Sequence, residues 1–183
     1  MVKVLFVVDM LNDFMDPQGA MYCGADAREI IPPIEVKISE YLQQGNPVIY
    51  ICDSHDQDDL EFTKFPPHAI KGTWGAEIIP ELSPKEAPSL VKIIEKQRYS
   101  GFHNTDLEEI LHDICRARES TTEDLQVEVT GNCTNICVLY TVEELCNRDI
   151  EAIVLRDAVT SFDKAAHEFA LGQLETVLGA KIR

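Results

Sequence analysis

The sequence predicts an α/β fold, a three-layer, doubly wound and mostly parallel sheet of Rossmann-like topology. Val2–Val8 and Val48–Ile51 are near-continuous apolar runs, as expected of strands buried on both faces of a parallel sheet. Segments of helical periodicity alternate with the strand-like runs, and a βαβα order implies parallel strands joined by right-handed crossovers. The runs also end in polar side chains, Asp9, Asp53 and Lys96 among them. Open sheets of this kind bind ligands beyond the carboxyl ends of their strands.

Taken in order, the first strand ends at Asp9, a residue that either caps the next turn or serves chemistry there. Asp16-Pro17-Gln18-Gly19 carries turn chemistry. Residues 28–45 repeat apolar side chains in a broadly helical pattern, with Pro32-Pro33 at the start and Gly45 at the stop. The second strand is followed by Asp53 and His55. A connection of some thirty residues comes next, too aromatic and apolar for disorder. Asp53, His55, Glu61 and His68 lie in or beside it, and their oxygen and nitrogen donors suit Zn²⁺, Mn²⁺ or Fe²⁺. Equally, such side chains hydrogen-bond loops.

Val91–Glu95 reads as the third strand and delivers Lys96, which is either solvated or placed at the binding edge. Tyr99-Ser100-Gly101-Phe102 is a turn, after which Asn104 or Thr105 caps a helix bearing Leu107, Ile110, Leu111 and Ile114. Residues 116–124 form a polar loop. Val127–Thr130 is a β-branched strand leading through Gly131-Asn132 to a helix that opens with Thr134 and Asn135, both good caps. Cys137 falls in its first turn, where the helix dipole favours a thiolate, although a buried thiol can also be mere packing. A fifth strand runs from Ile150 to Leu155 with Asp157 at its end. A helix near 163–178 and a short strand at 180–182 close the chain.

The 183 residues are expected to form one domain, 1–183, with a formal charge of −16 that argues against nucleic acid or an anionic membrane as partner. The six cysteines, at 23, 52, 115, 133, 137 and 146, come with no secretory signal, and no run approaches a membrane span. A reduced, cytoplasmic protein is expected. The oligomeric state, homo-oligomer or monomer, is left open.

Asp9, Lys96 and Cys137 in this order, within Val7-Val8-Asp9-Met10-Leu11-Asn12-Asp13-Phe14, a lysine before Tyr99-Ser100-Gly101-Phe102, and Gly131-Asn132-Cys133-Thr134-Asn135-Ile136-Cys137, resemble the isochorismatase-like cysteine hydrolases. The likeness spans essentially the whole chain. Asp53-Ser54-His55 and Phe65-Pro66-Pro67-His68 are similar to the nicotinamidases within that superfamily; isochorismatases lack the metal-bearing loop. The resemblance implies hydrolysis of nicotinamide through a cysteine thioester. Cys137 would be the nucleophile, Asp9 its proton acceptor and Lys96 the cation favouring the ionised forms of both. It also implies a cis Asn132–Cys133 peptide, an oxyanion hole from the N–H groups of Cys133 and Cys137, and a pyridine pocket lined by Phe14, Phe65 and Tyr99. One divalent transition metal, zinc first with manganese or iron as alternatives, would sit on Asp53, His55 and His68. Glu61 would join them directly or through water, and coordination would help order the long loop. The chain departs from the pattern at Leu11, where a Gln is common, at Phe65, where a Trp is common, and at Glu61, where some members use a third His. The rival readings are a metal-independent amidohydrolase of the same superfamily and a thiol redox protein pairing Cys133 with Cys137.

Overall fold

The computed structural model describes residues 1–84 and 88–183, so residues 85–87 of the long connection lie outside the description. Six strands form one sheet: β1 Val2–Val8, β2 Val48–Asp53, β3 Val91–Lys96, β4 Leu125–Asn132, β5 Glu151–Thr160 and β6 Lys181–Ile182. Their order is β3-β2-β1-β4-β5-β6, and every pair is parallel, so the expected mostly parallel sheet is parallel throughout its described strands. The helices are α1 Asn12–Met15, α2 Ile31–Gln43, α3 Leu107–Ala117, α4 Leu139–Asn147 and α5 Lys164–Thr176.

β1 shows why its sequence is almost wholly apolar. Val2, Val4, Phe6 and Val8 pack into one core, while Leu5 and Val7 pack into the core on the opposite face. Burial of each such side chain contributes roughly 1.5–3 kcal/mol. Helices α3, α4 and α5 cover the first face through Leu107, Val142 and Leu171, and α1 and α2 cover the second through Met15 and Ile34. Sequence order reverses between β1 and β4, which opens the crevice expected of such a sheet. Asp9, Asp53, Lys96 and Cys133 stand at the carboxyl ends of four adjacent strands around that crevice.

Four local expectations are corrected. The strand read as ending at Leu155 runs on to Thr160, and its register against β4 shifts between Val129 and Gly131, so Asp157 lies within β5 and is exposed. At the start of α3 the cap position is Asp106, with the Thr105 hydroxyl only 3.3 Å from the Leu107 N–H it accepts, and Asn104 takes a positive φ of 54°. The helix after β4 opens as a π-turn, Thr134–Val138, capped by main chain alone: the Cys133 carbonyl accepts the N–H groups of Ile136 and Val138 at 3.0 and 3.2 Å. The long connection holds short 3-10 turns at Leu60–Thr63 and Trp74–Ala76. Two isolated bridges just beyond the strand ends pin it, His55 pairing to Ile70 and Leu11 to Ile78. Main-chain hydrogen bonds tie the described part of this loop together and to the strand ends.

Candidate active site and metal centre

The end of β1 sets the geometry. Asp9 adopts φ 49°, a left-handed conformation that aspartate tolerates better than most residues. Its N–H donates to the Ile51 carbonyl at 2.8 Å, which fixes the carboxylate over the neighbouring strand. Oδ1 accepts the Asp53 N–H at 2.8 Å and Oδ2 accepts Lys96 Nζ at 2.9 Å. Asp53 and Lys96 are register partners across β2 and β3, so their side chains leave one face side by side. Lys96 Nζ meets Asp53 Oδ1 at 2.5 Å and Cys137 Sγ at 3.4 Å. All four residues are buried. On the other flank, Gly131 at φ 109° lets β4 press against Val8, and the Asn132 amide then donates to the Asp9 carbonyl at 2.6 Å. The Asn132–Cys133 peptide is cis, as the resemblance implies. Among the described residues, the Cys133 N–H donates to no backbone carbonyl.

Burial and the nearby Asp53 carboxylate raise Asp9 to about 6, against the pull of Lys96. Burial, with Asp9 and Asp53 adding to it, also pushes the Cys137 thiol well up despite Lys96. Lys96 pulls both groups toward their ionised forms, as expected, but burial outweighs that pull. Burial thus favours the protonated form of the Cys137 thiol and raises the Asp9 carboxyl beside it.

The proposed metal donors adjoin this cluster through Asp53. One donor atom each from Asp53, His55 and His68 lies within 4.8 Å of the other two. Both imidazoles are oriented from behind. His55 Nδ1 is 3.0 Å from Asp59 Oδ2, and His68 Nδ1 is 2.7 Å from the Pro66 carbonyl. With Nδ1 engaged by an acceptor, each histidine turns Nε2 inward toward Asp53. His55 Nε2 is buried with no hydrogen-bond partner, the mark of an atom shaped for an ion. Glu61 is buried on the same cavity but does not join the trio. Its carboxylate instead faces the Tyr99 hydroxyl, and with burial it pushes Tyr99 up to about 12.

Phe14, Phe65 and Tyr99 line one cavity with Asp9, Cys133, Cys137 and the proposed metal donors. The Phe14 and Phe65 rings lie 5.5 and 6.3 Å from the His68 ring. Lys96 does not face the cavity; it sits beneath it. The structure also adds residues that the sequence left unassigned. Asp59 backs His55 and is itself gripped by Arg98 at 2.9 Å; against its burial, the Glu61 N–H, His55 and Arg98 hold it at about 2. Asp13 accepts the Ala69 N–H at 2.7 Å and so fixes the backbone after His68. Cys23, Ile136 and Phe162 complete the wall. Asp59 lies four residues after His55 in a non-periodic loop and Arg98 far along the chain, so neither left a spacing signal.

Residues 3–182 match the family model of the isochorismatase domain. The crystal structure of the nicotinamidase/pyrazinamidase PncA of Bacillus subtilis superposes with a TM-score of 0.89 at 36% identity, covering 100% of this chain and 99% of that one. N-carbamoylsarcosine amidase of Thermoplasma acidophilum gives 0.83 at 32% identity, covering 100% and 96%. The pyrazinamidase of Pyrococcus horikoshii, solved in complex with zinc, gives 0.84 at 29% identity, covering 100% and 99%.

Proposed function

The chain belongs to the isochorismatase family, and within it we propose that it is a nicotinamidase, hydrolysing nicotinamide to nicotinic acid and ammonia. The observation that carries the reading is the double use of Asp53. One oxygen binds Lys96 of the nucleophile cluster, and the other faces the inward nitrogens of His55 and His68 at 3.8 and 3.9 Å. A thiol site and a metal-type site thus share one cavity, as a substrate with both a carboxamide and a ring nitrogen requires. Similarity to the Bacillus subtilis and Pyrococcus horikoshii enzymes supports the same reading.

The chemistry follows from the residues. Asp9, at about 6, takes the Cys137 proton as sulfur attacks the carboxamide carbon, so the thiolate forms only as it is consumed. The oxyanion is received by the N–H groups of Cys133 and Cys137, where one such donor is worth about 10²–10³ in rate. Protonated Asp9 passes its proton to the leaving nitrogen and ammonia departs. Asp9, again a carboxylate, then draws a proton from the water that cleaves the thioester. Lys96 keeps its charge throughout and steadies whichever anion the cluster holds. Phe14, Phe65 and Tyr99 sandwich and align the ring. The residues that would hold a divalent transition metal, zinc first, are Asp53, His55 and His68, and that ion would supply a Lewis-acid anchor for the ring nitrogen. Glu61, turned to Tyr99, would reach it through water.

The test is purified, zinc-loaded protein incubated with nicotinamide, ammonia release being followed. Steady release that vanishes in Cys137→Ala supports the proposal. Release from N-carbamoylsarcosine with none from nicotinamide would move the assignment to another amidohydrolase of the family.

A further inference from the structure

The cavity wall carries three thiols, Cys23, Cys133 and Cys137, of which the proposed reaction uses only the last. Cys23 and Cys133 face each other, Sγ to Sγ at 3.8 Å. Although 110 positions apart in the chain, they are brought together by main-chain anchors on both sides. The Cys23 N–H donates to the Phe14 carbonyl at 2.9 Å, and Cys133 caps the π-turn through its own carbonyl. The Asn132 side-chain oxygen lies 3.8 Å from Cys23 Sγ and 3.6 Å from Cys133 Sγ, so both thiols sit around one acceptor. The two are unequal: Cys23 is half-buried and Cys133 buried. The contact between them lowers Cys23 and, with burial, raises Cys133. Among the described residues, the thiol within hydrogen-bond reach of Cys133 is that of Cys23.

We propose that Cys23 and Cys133 form a peroxide-oxidisable dithiol pair in the wall of the catalytic cavity, with Cys23 the attacking thiol and Cys133 the resolving one. The Cys23 sulfur attacks one oxygen of hydrogen peroxide; an S–O bond forms, the O–O bond breaks, and the departing hydroxide leaves as water with the thiol proton. The Cys133 sulfur then attacks the sulfenic sulfur of Cys23. An S–S bond forms, the S–O bond breaks, and the hydroxyl leaves as water with the Cys133 proton. Two thiols lose two electrons and two hydrogens, and one peroxide becomes two waters. The sulfurs must close from 3.8 Å to about 2 Å to form the bond. That closure draws on Cys133, whose N–H is an oxyanion donor in the proposed reaction, so oxidation should lower turnover and thiols should restore it. This consequence rests on the proposed function; the crosslink does not.

The test therefore reads the crosslink first. Full-length, metal-loaded Cys137→Ala protein is treated with dilute hydrogen peroxide, capped with iodoacetamide and mapped without reduction. The expected product is a peptide pair joining Cys23 to Cys133, about 2 Da lighter than its two parts. It should be reversible by dithiothreitol and absent when Cys23→Ser or Cys23→Ala is added. In protein retaining Cys137, a dithiothreitol-recoverable loss of ammonia release should accompany the crosslink and disappear with Cys23→Ser, each protein being compared with its own untreated sample. Recovery of both thiols as alkylated or over-oxidised monomers, or Cys133 joined to another cysteine, in protein still folded by circular dichroism, would overturn the proposal.

Discussion

At the scale of single residues the site depends on saturation. Lys96 has three N–H donors and three acceptors, Asp9, Asp53 and Cys137, at 2.9, 2.5 and 3.4 Å. Lys96→Met keeps the volume but leaves two buried carboxylates without a cation. Breaking a buried pair from one side costs about 3–5 kcal/mol, so urea unfolding should show a loss of that order, with no ammonia release. Unchanged stability would mean that the carboxylates are not both charged in the native state. The sulfurs separate differently. Cys137→Ala should cost on the order of 10³-fold or more in turnover, whereas reduced Cys133→Ala should keep turning over, since only its main-chain N–H is used; a folded but inactive Cys133→Ala would displace Cys137 as the nucleophile. Asp59→Asn tests the partner behind His55. Loss of such a partner typically weakens a metal about 10–100-fold, to be read by zinc titration against a chromophoric chelator, and unaltered affinity would remove Asp59 from the site. Lys96 and Cys137 were legible because a strand end or a short turn carries each to the crevice. Asp59, Arg98 and Cys23 were not, because contacts from irregular loops leave no periodic trace.

Among the elements, β4 and the turn after it carry the most constraint. A Cβ on Gly131 would lie 2.0 Å from the Val8 carbonyl oxygen, and its φ of 109° is one that side chains resist. Gly131→Ala should therefore cost about 3 kcal/mol or more, and it should also shift the Asn132 amide away from Asp9. Thermal unfolding and ammonia release should fall together; a fully stable, fully active variant would show that the two strands can part without harm. The strands were readable from apolar runs because β1 and β2 bury both faces. The start of the following helix was misread because Thr134 and Asn135 look like caps. In the fold their side chains turn outward from that role: Thr134 Oγ1 lies 2.9 Å from His167 Nδ1, and Asn135 Oδ1 accepts the Ser161 hydroxyl at 2.6 Å. The Cys133 carbonyl alone caps the turn, a main-chain solution with no signature in residue type.

On the scale of the whole molecule, two supports act on the long connection, and they are separable. Main-chain bonds tie it to the strand ends: His55 N–H to the Ala69 carbonyl at 2.9 Å, Lys71 N–H to the His55 carbonyl at 2.8 Å and Ile79 N–H to the Met10 carbonyl at 3.0 Å. Buried Ala69, Ile79 and Leu82 add it to the core beneath α2. These contacts are all made within the protein, whereas the buried His55 Nε2 has no partner among the described residues. Stripping the metal should therefore leave the fold and remove only the linkage stabilisation, about 2.7 kcal/mol when free metal stands at 100 times its Kd, seen as a lower melting temperature. Cys137 lies beside Lys96 and Asp9, neither of them a proposed metal donor, so its alkylation should persist in the stripped protein. Nicotinamide turnover should fall, and return with Zn²⁺, Mn²⁺ or Fe²⁺, because the ring loses its anchor while the thiol keeps its partners. The measurement pairs ammonia release with the rate of Cys137 carbamidomethylation, read by peptide mass, in one verified metal-free sample. Full turnover without metal would reassign the three donors to loop structure and favour a metal-independent amidohydrolase. Collapse of the fold on stripping would show that the bridges alone do not hold the loop.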